Sequence, residues 1–230
     1  MKKITFLVIS LMASASAYGQ STTNSIYIDQ VGETSEITLT QEGQGNKIGT
    51  EDNRFVLEGD GQTVTVKQDG NNNTMTGSVE DAEGIDYNTT VTGDNNEITY
   101  DQGGSGSVAG STKTLTVTGS SNDLTFNQGT TSSATSATQT IAITGDTNTL
   151  TSTINTDDVV NTKTIVGSNN TITTVQNGTV GKNIEMLLTG SRNEITVNQK
   201  STTNVDTINI NSTSSDGTLI INQCNNGGPC

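Results

Sequence analysis

One residue type at one fixed offset constrains this chain more than anything else in it. Eight segments can be anchored on a short polar turn, at Gly32, Gly59, Gly93, Gly119, Gly145, Gly167, Gly190 and, in the eighth register, Ser214. The spacings are 27, 34, 26, 26, 22, 23 and 24 residues. Nine residues after each anchor stand Gln41, Gln68, Gln102, Gln128, Ile154, Gln176, Gln199 and Gln223. Seven of the eight are Gln, so the chain is an array of related units.

Alternation fills in the units. Five and seven residues after the anchor come pairs such as Ile37/Leu39, Val64/Val66, Leu124/Phe126, Ile195/Val197 and Leu219/Ile221. Between them Thr recurs at 38, 65, 99, 125, 151, 173 and 196. Period-two alternation rich in β-branched residues reads as a half-buried strand, with the apolar residues and Gln inward and Thr outward. The residues before each anchor alternate too, as in Leu115/Val117, Ile141/Ile143 and Ile208/Ile210. Gly and an Asn at 96, 122, 148, 170 or 193 bound the tight turn, and both residue types accept positive φ.

Composition turns these strands into an architecture. Apolar residues are 29% of the chain, with no Trp, no His and one Pro. A thick core is out of reach. A thin core repeated along an axis is not. The expectation is an all-β β-solenoid of about eight strand-turn-strand coils, with two facing parallel sheets about 10 Å apart. Like then stacks on like, and the inward Gln column forms an amide ladder. Eight coils at roughly 4.8 Å give a rod about 38 Å long.

The organisation along the chain is expected in four parts. Residues 1–19 have a basic start, a short apolar run and small residues near Ala17 and Gly19, the pattern of a secretory signal peptide. They are expected to lie outside the fold. A short segment 20–24 leads into the repeat domain at 25–223, and 224–230 form a tail bounded by Cys224 and Cys230. Export makes a disulfide between these cysteines possible, with two free thiols as the alternative. No segment after the leader is apolar enough to span a bilayer. Net charge is −14, which disfavours nucleic acid as a partner. The missing His excludes His-based catalysis and His-ligated metals. The nonapeptide Gly/Asp tandem of a calcium β-roll is missing, and no cofactor is expected.

The units resemble the curlin repeat family, the subunits of bacterial curli fibres, whose motif is Ser-x5-Gln-x-Gly-x-x-Asn-x-Ala-x3-Gln. Gln30-x-Gly32 is followed by Ile37 and Gln41. Gln41-Glu42-Gly43-Gln44-Gly45-Asn46-Lys47-Ile48 keeps the order, and Gln68-x-Gly70-x-x-Asn73-x-Met75 keeps the spacing. Gly119, Asn122 and Gln128 hold it again, as do Gly167, Asn170 and Gln176, and Gly190, Asn193 and Gln199. Departures are the apolar residues Leu57, Val91, Val117, Ile143, Ile165 and Leu188 in place of the leading Gln, larger residues in place of Ala, long linkers and a high acidic load. The resemblance implies a secreted amyloid-like fibre subunit at the cell surface, contributing to adhesion and biofilm matrix. It implies self-association, a nucleator subunit and an outer-membrane export channel as partners.

A solenoid has two strand edges, and unprotected edges recruit more strands. Neither terminus shows a capping helix or Pro-rich segment in sequence. Head-to-tail stacking is expected through Ile26, Ile28 and Gln30 at one end and Ile208, Ile210, Leu219 and Ile221 at the other, giving an open filament. Outward acids such as Glu97 and Asp123 fall at one phase in neighbouring coils and oppose pairing. The rival function is a monomeric surface solenoid, an adhesin or a ligand- or ice-binding module. Eight residues after the anchor the sequence reads Thr40, Lys67, Asp101, Asn127, Thr153, Val175, Asn198 and Asn222, so these strands carry one Thr column and lack the second that ice binding uses. An enzyme is not expected, since Arg54 and Arg192 are the only arginines and no carboxylate pair recurs with a basic partner.

Overall fold

A computed structural model describes residues 6–12, 25–26, 28–34, 36–43, 45–49, 55–70, 72–80, 83–93, 95–102, 108–119, 121–128, 134–135, 137–157, 159–178, 182–201 and 206–225. The described chain is all β. It alternates between two parallel sheets, so each coil is one strand of each. The A sheet runs in the order Phe6–Met12, Glu36–Glu42, Thr63–Asp69, Asp86–Thr92, Thr112–Thr118, Thr138–Thr144, Val159–Val166, Lys182–Thr189 and Asp206–Thr213. The B sheet follows Asp29–Val31, Phe55–Glu58, Thr74–Glu80, Asn95–Gln102, Ser121–Gln128, Thr147–Asp157, Asn170–Gly178, Asn193–Ser201 and Gly217–Ile221. This is the expected β-solenoid, close to eight coils. Short strands Val108–Ala109, Ala134–Thr135 and Cys224–Asn225 extend it where linkers of neighbouring coils stack.

The alternation in sequence becomes alternation in burial. Strand Thr63–Asp69 buries Val64, Val66 and Gln68 and exposes the residues between them. The inward residues of the two sheets meet in a continuous apolar column from Ile26 and Ile28 to Ile195 and Val197. Aromatic rings stack within it from coil to coil. Phe55 lies 6.3 Å from Tyr87, Tyr87 4.5 Å from Tyr100, and Tyr100 5.2 Å from Phe126 between ring centres. Gly77, in mid-strand, leaves the space that the Phe55 ring fills.

The register differs from the expected one at a single place. The interval from Gly59 to Gly93 holds three strands, Thr63–Asp69, Thr74–Glu80 and Asp86–Thr92, where other intervals hold two principal ones. The extra strand is half a coil. It transfers the Gln-ending segments from the A sheet to the B sheet. Gln41 pairs with Gln68 in the A sheet, but Gln68 then pairs with Val91. Gln102 pairs with Gln128 in the B sheet, followed by Ile154, Gln176 and Gln199. A single Gln row is therefore corrected to two rows on opposite walls. Chain parity is the reason: a unit of odd strand number exchanges the walls of everything after it.

The same slip corrects the anchors. Gly32 and Gly59 stack at the corner that leads from the B sheet to the A sheet. Gly93, Gly119, Gly145, Gly167 and Gly190 belong to the opposite corner, continuing a column that starts at Gly43 and Gly70. Its spacings of 27, 23, 26, 26, 22 and 23 residues are more even than those of the mixed set.

The leader is placed differently from the expectation. Phe6–Met12 pairs in parallel with Glu36–Glu42, Phe6 opposite Glu36 and Met12 opposite Glu42. The apolar run that marks a signal peptide is also a competent strand, and it covers an open A-sheet edge. With the leader present, Phe6–Met12 lies on the A sheet rather than apart from it, and the rest of 1–19 lies outside the described residues. Residues 20–24 lie outside the described residues.

Candidate functional site

The corner column is the most regular construction in the molecule. Each glycine from Gly70 to Gly190 sits so close to the carbonyl of the corner glycine one coil below that a Cβ would collide with it. The N–H of Gly93 donates to the Thr118 carbonyl at 2.9 Å, and that of Gly119 to the Thr144 carbonyl at 3.0 Å. Close approach of backbone, more than positive φ, therefore requires Gly at Gly93, Gly119 and Gly145. Among the described residues, those other than Gly with positive φ are Thr34, Asn169 and Arg192.

Three residues past each corner glycine lies an Asn: Asn46, Asn73, Asn96, Asn122, Asn148, Asn170 and Asn193. All seven are buried. The last five were expected as turn residues accepting positive φ. Instead they form the amide ladder. The Asn73 amide donates to the Asn46 carbonyl oxygen at 2.8 Å, and the Asn96 amide donates to Asn73. Further along, Asn122 donates to Asn148 at 2.6 Å, Asn148 to Asn170 at 2.6 Å, and Asn170 to Asn193 at 2.8 Å. Asn148 and Asn170 also donate to the carbonyls of Gly145 and Gly167, at 2.9 and 2.7 Å. Donor direction reverses between Asn96 and Asn122, whose Oδ1 atoms are both buried without a donor. Gly-x-x-Asn, from Gly43 and Asn46 to Gly190 and Asn193, is the sequence signal for this ladder.

The Gln side chains make shorter ladders. Gln68 Nε2 donates to Gln41 Oε1 at 2.9 Å and to the Thr74 carbonyl at 3.1 Å. Gln176 Nε2 donates to Gln199 Oε1 at 3.0 Å, and Asn161 on the facing wall donates to Gln176 Oε1 at 3.0 Å. Gln41, Gln68, Gln176 and Gln199 are fully buried. The side chains of Gln30, Gln102 and Gln128 lie outside the described residues. Gln223, in the last coil, is exposed, because no further coil covers it. Of the seven Gln expected inward, the four described inside the stack are buried and Gln223 at its end is not.

Two lysines are buried inside the column. Lys113 Nζ lies 4.2 Å from the centre of the Tyr100 ring and 4.6 Å from that of Phe126, a cation–π geometry. Burial holds the Lys113 amine well below the usual lysine range, with Asp101 opposing that shift. Burial lowers Lys163 to about 7. Neither Nζ has a hydrogen-bond partner. The parity that turns Leu115 and Val117 inward turns Lys113 inward too, so the alternation in sequence marks its direction.

The ends are unlike the middle. At the C-terminal end Leu219, Ile220 and Ile221 are 52%, 46% and 42% exposed. Ile208 and Ile210 pack on the core with one side open. Asn222 N–H donates to the Val197 carbonyl at 3.0 Å. In a parallel strand alternate N–H groups point the same way, so those of Leu219 and Ile221 face outward. At the other end Ile26 and Ile28 are buried just before the first B-sheet strand, with Val56 N–H bonded to the Ile28 carbonyl at 3.0 Å. Cys224 is disulfide-bonded, and Cys230, the other cysteine of the sequence, lies outside the described residues.

These features define a two-walled parallel β-solenoid with an amide-lined corner and an open terminal coil. No family model, curated protein or solved structure matches the chain. Among the described residues no helix is long and apolar enough to cross a membrane.

Proposed function

We propose that this chain is a secreted structural subunit that stacks head to tail into extracellular amyloid-like fibres serving adhesion and biofilm matrix. The observation that carries the proposal is the open terminal coil. It offers outward N–H groups on Leu219 and Ile221 and an apolar surface continuous with the core. Edges of this kind recruit further strands. Sheet identity sets the docking. Asp206–Thr213 of one subunit meets Glu36–Glu42 of the next in the A sheet, and Gly217–Ile221 meets the strand around Asp29–Val31 in the B sheet. The contact is heterologous and repeats without closing. The A-sheet half needs the edge that Phe6–Met12 covers, so loss of the leader on export opens it. The resemblance to curlin repeats supports the same reading and adds a nucleator subunit and an outer-membrane export channel as partners. The role is structural, with no catalytic step.

The experiment compares thioflavin fluorescence and negative-stain images over time for residues 1–230, residues 20–230 and residues 20–230 with Ile221→Pro. Proline removes one outward donor and leaves the Asn222 bond to Val197 in place. Fibres from residues 20–230 alone, with growth stopped by the proline, are the expected result. Fibre growth at the unmodified rate in the variant sinks this interface.

A further inference from the structure

The outer surface of the A sheet carries a dense array of threonines. On strand Thr112–Thr118 all four outward residues are Thr. Strand Thr138–Thr144 stacks on it residue for residue and presents Thr138, Thr140, Ala142 and Thr144. One coil further, Thr162 and Thr164 pair with Thr140 and Ala142. One coil back, Thr90 and Thr92 lie beside Thr116 and Thr118. Several Thr columns therefore stand side by side, about 4.8 Å apart between coils and about 6.6 Å apart along a strand. The B sheet carries a narrower array: Thr147, Thr149, Thr151 and Thr153 face outward on one strand and Thr171 and Thr173 on the next, while the coils before them place Glu97, Asp101 and Asp123 beside Thr99 and Thr125.

We propose that this A-sheet face binds ice, holding a layer of ordered water on a two-dimensional array of threonine hydroxyls and methyls. Four properties support that ligand. First, the outward residues of strands Thr112–Thr118, Thr138–Thr144 and Val159–Val166 carry no charge, in a chain of net charge −14, and acids border this face only at Asp86 beside Thr112 and Glu185 beside Thr162. Charged side chains hold their own hydration shells and would break up a water lattice. Second, the array is preordered. Thr is stiff at χ1, and the Asn ladder and stacked glycines fix the coil spacing, so ordering the surface costs little side-chain entropy. Third, both array periods are short and regular, comparable to oxygen spacings on a prism face of ice. Fourth, Thr92, Thr118 and Thr144, with Gly93, Gly119, Gly145 and Asp146, line a shallow open trough of about 410 Å³ along the glycine corner. That volume admits a file of waters with hydroxyl and carbonyl partners.

Other occupants of a flat face fit less well. Stacking on a polysaccharide uses aromatic platforms, and Phe55, Tyr87, Tyr100 and Phe126 all point inward. Lateral pairing with a second copy favours low net charge. Here Glu36, Glu42, Asp69 and Asp86 stand on the same sheet in the first coils and would meet their equivalents in a parallel pair.

The test is thermal hysteresis and ice recrystallisation with the freshly purified full chain. Thr116→Tyr and Thr140→Tyr place a bulky ring in the A face, and Thr125→Tyr does the same on the B face. Circular dichroism and melting temperature check that each variant folds. The unmodified chain should shape ice crystals and show a hysteresis gap. Both A-face variants should lose them, and Thr125→Tyr should keep them. Folded unmodified protein without hysteresis or crystal shaping overturns the proposal. So does equal loss in Thr125→Tyr. So does sedimentation showing a lateral dimer that Thr116→Tyr dissociates, which would assign the face to a second copy. Fibre growth is read separately by thioflavin, so failure of either reading leaves the other measurable.

Discussion

The glycine–asparagine corner and the interior behind it follow opposite rules. At the corner one solution recurs in coil after coil, from Gly70 with Asn73 to Gly190 with Asn193. In the interior, positions that stack on one another differ freely. The row through Tyr87 continues as Lys113, Gln139 and Asn161, and the row through Ile141 continues as Lys163 and Met186. Backbone contact allows no variation, since two carbonyls and a Cβ do not share one space. Side-chain contact between two walls allows a great deal, provided the volume is filled. The lesson is that the coil geometry is set at its edge and only filled in its middle.

The sharpest way to break that contrast is a methyl group at the corner. Gly119→Ala places a Cβ onto the Gly93 carbonyl and the Asn96 and Asn122 amides. It should destabilise by more than about 4 kcal/mol, beyond the ordinary range for a point change. Denaturant melts of this variant beside Ala142→Gly, an outward position on the next strand, measure the difference. A cost near 1 kcal/mol at Gly119 would mean the corner relaxes as easily as the interior.

Lys163 tests the interior from the other side. Its amine has no partner, so replacement by a similar apolar chain in Lys163→Met should stabilise, by about 1–4 kcal/mol. The pH dependence has a definite sign. The folded value is about 7 and the unfolded reference 10.5. The unfolded chain therefore binds the extra proton between those values, and stability rises with pH across that window. Below about pH 7 the contribution is flat. Lys113, held low by the same cause, adds a slope of the same sign. The difference between wild type and Lys163→Met isolates the Lys163 share. A difference independent of pH from 6 to 10 would show that Lys163 keeps its ordinary protonation inside the fold.

Asn148 stands at the meeting of both regions. It donates to Gly145 and Asn170 and accepts from Asn122. Asn148→Ala leaves those partners unmatched and should cost about 2 kcal/mol. Asn148→Asp removes the donors and retains the acceptors; it should cost more than Ala at neutral pH and lose part of that excess in acid. The smallest effect belongs to the outer surface. Thr99→Ala on the B sheet should lie within about 0.5 kcal/mol of wild type. Chemical melts of the whole set, ranked, show whether corner, interior and surface separate as described.

The fold was legible because its two strongest signals are local. Alternation gave the strands and their buried parity, and repetition gave the stacking of parallel coils. What did not show was the phase. Gln30-x-Gly32 and Gln41-x-Gly43 look alike in sequence, yet one leads out of the B sheet and the other out of the A sheet. Nothing in an isolated strand marks which wall it will join; only the count of strands between corners does. The Asn ladder was visible as a spacing, Gly-x-x-Asn, but its residue type suits a turn equally well. The Thr face does not stand out in the turn-anchored reading because position eight after the anchors is mixed, while the widest Thr array lies on the strands before them.

The half-coil between Asp69 and Asp86 has a consequence for any fibre this chain builds. Inside the molecule a Gln-ending wall is continued by an apolar one, where Val66 and Gln68 meet Thr89 and Val91. At a head-to-tail seam the order is inverted, with Ile208 and Ile210 meeting Ile37 and Leu39 of the incoming chain. One polymer would then carry two kinds of boundary in strict turn, one covalent and one not. Its walls would trade identities once per molecule, so that neither side of the filament keeps a single chemical character along its length.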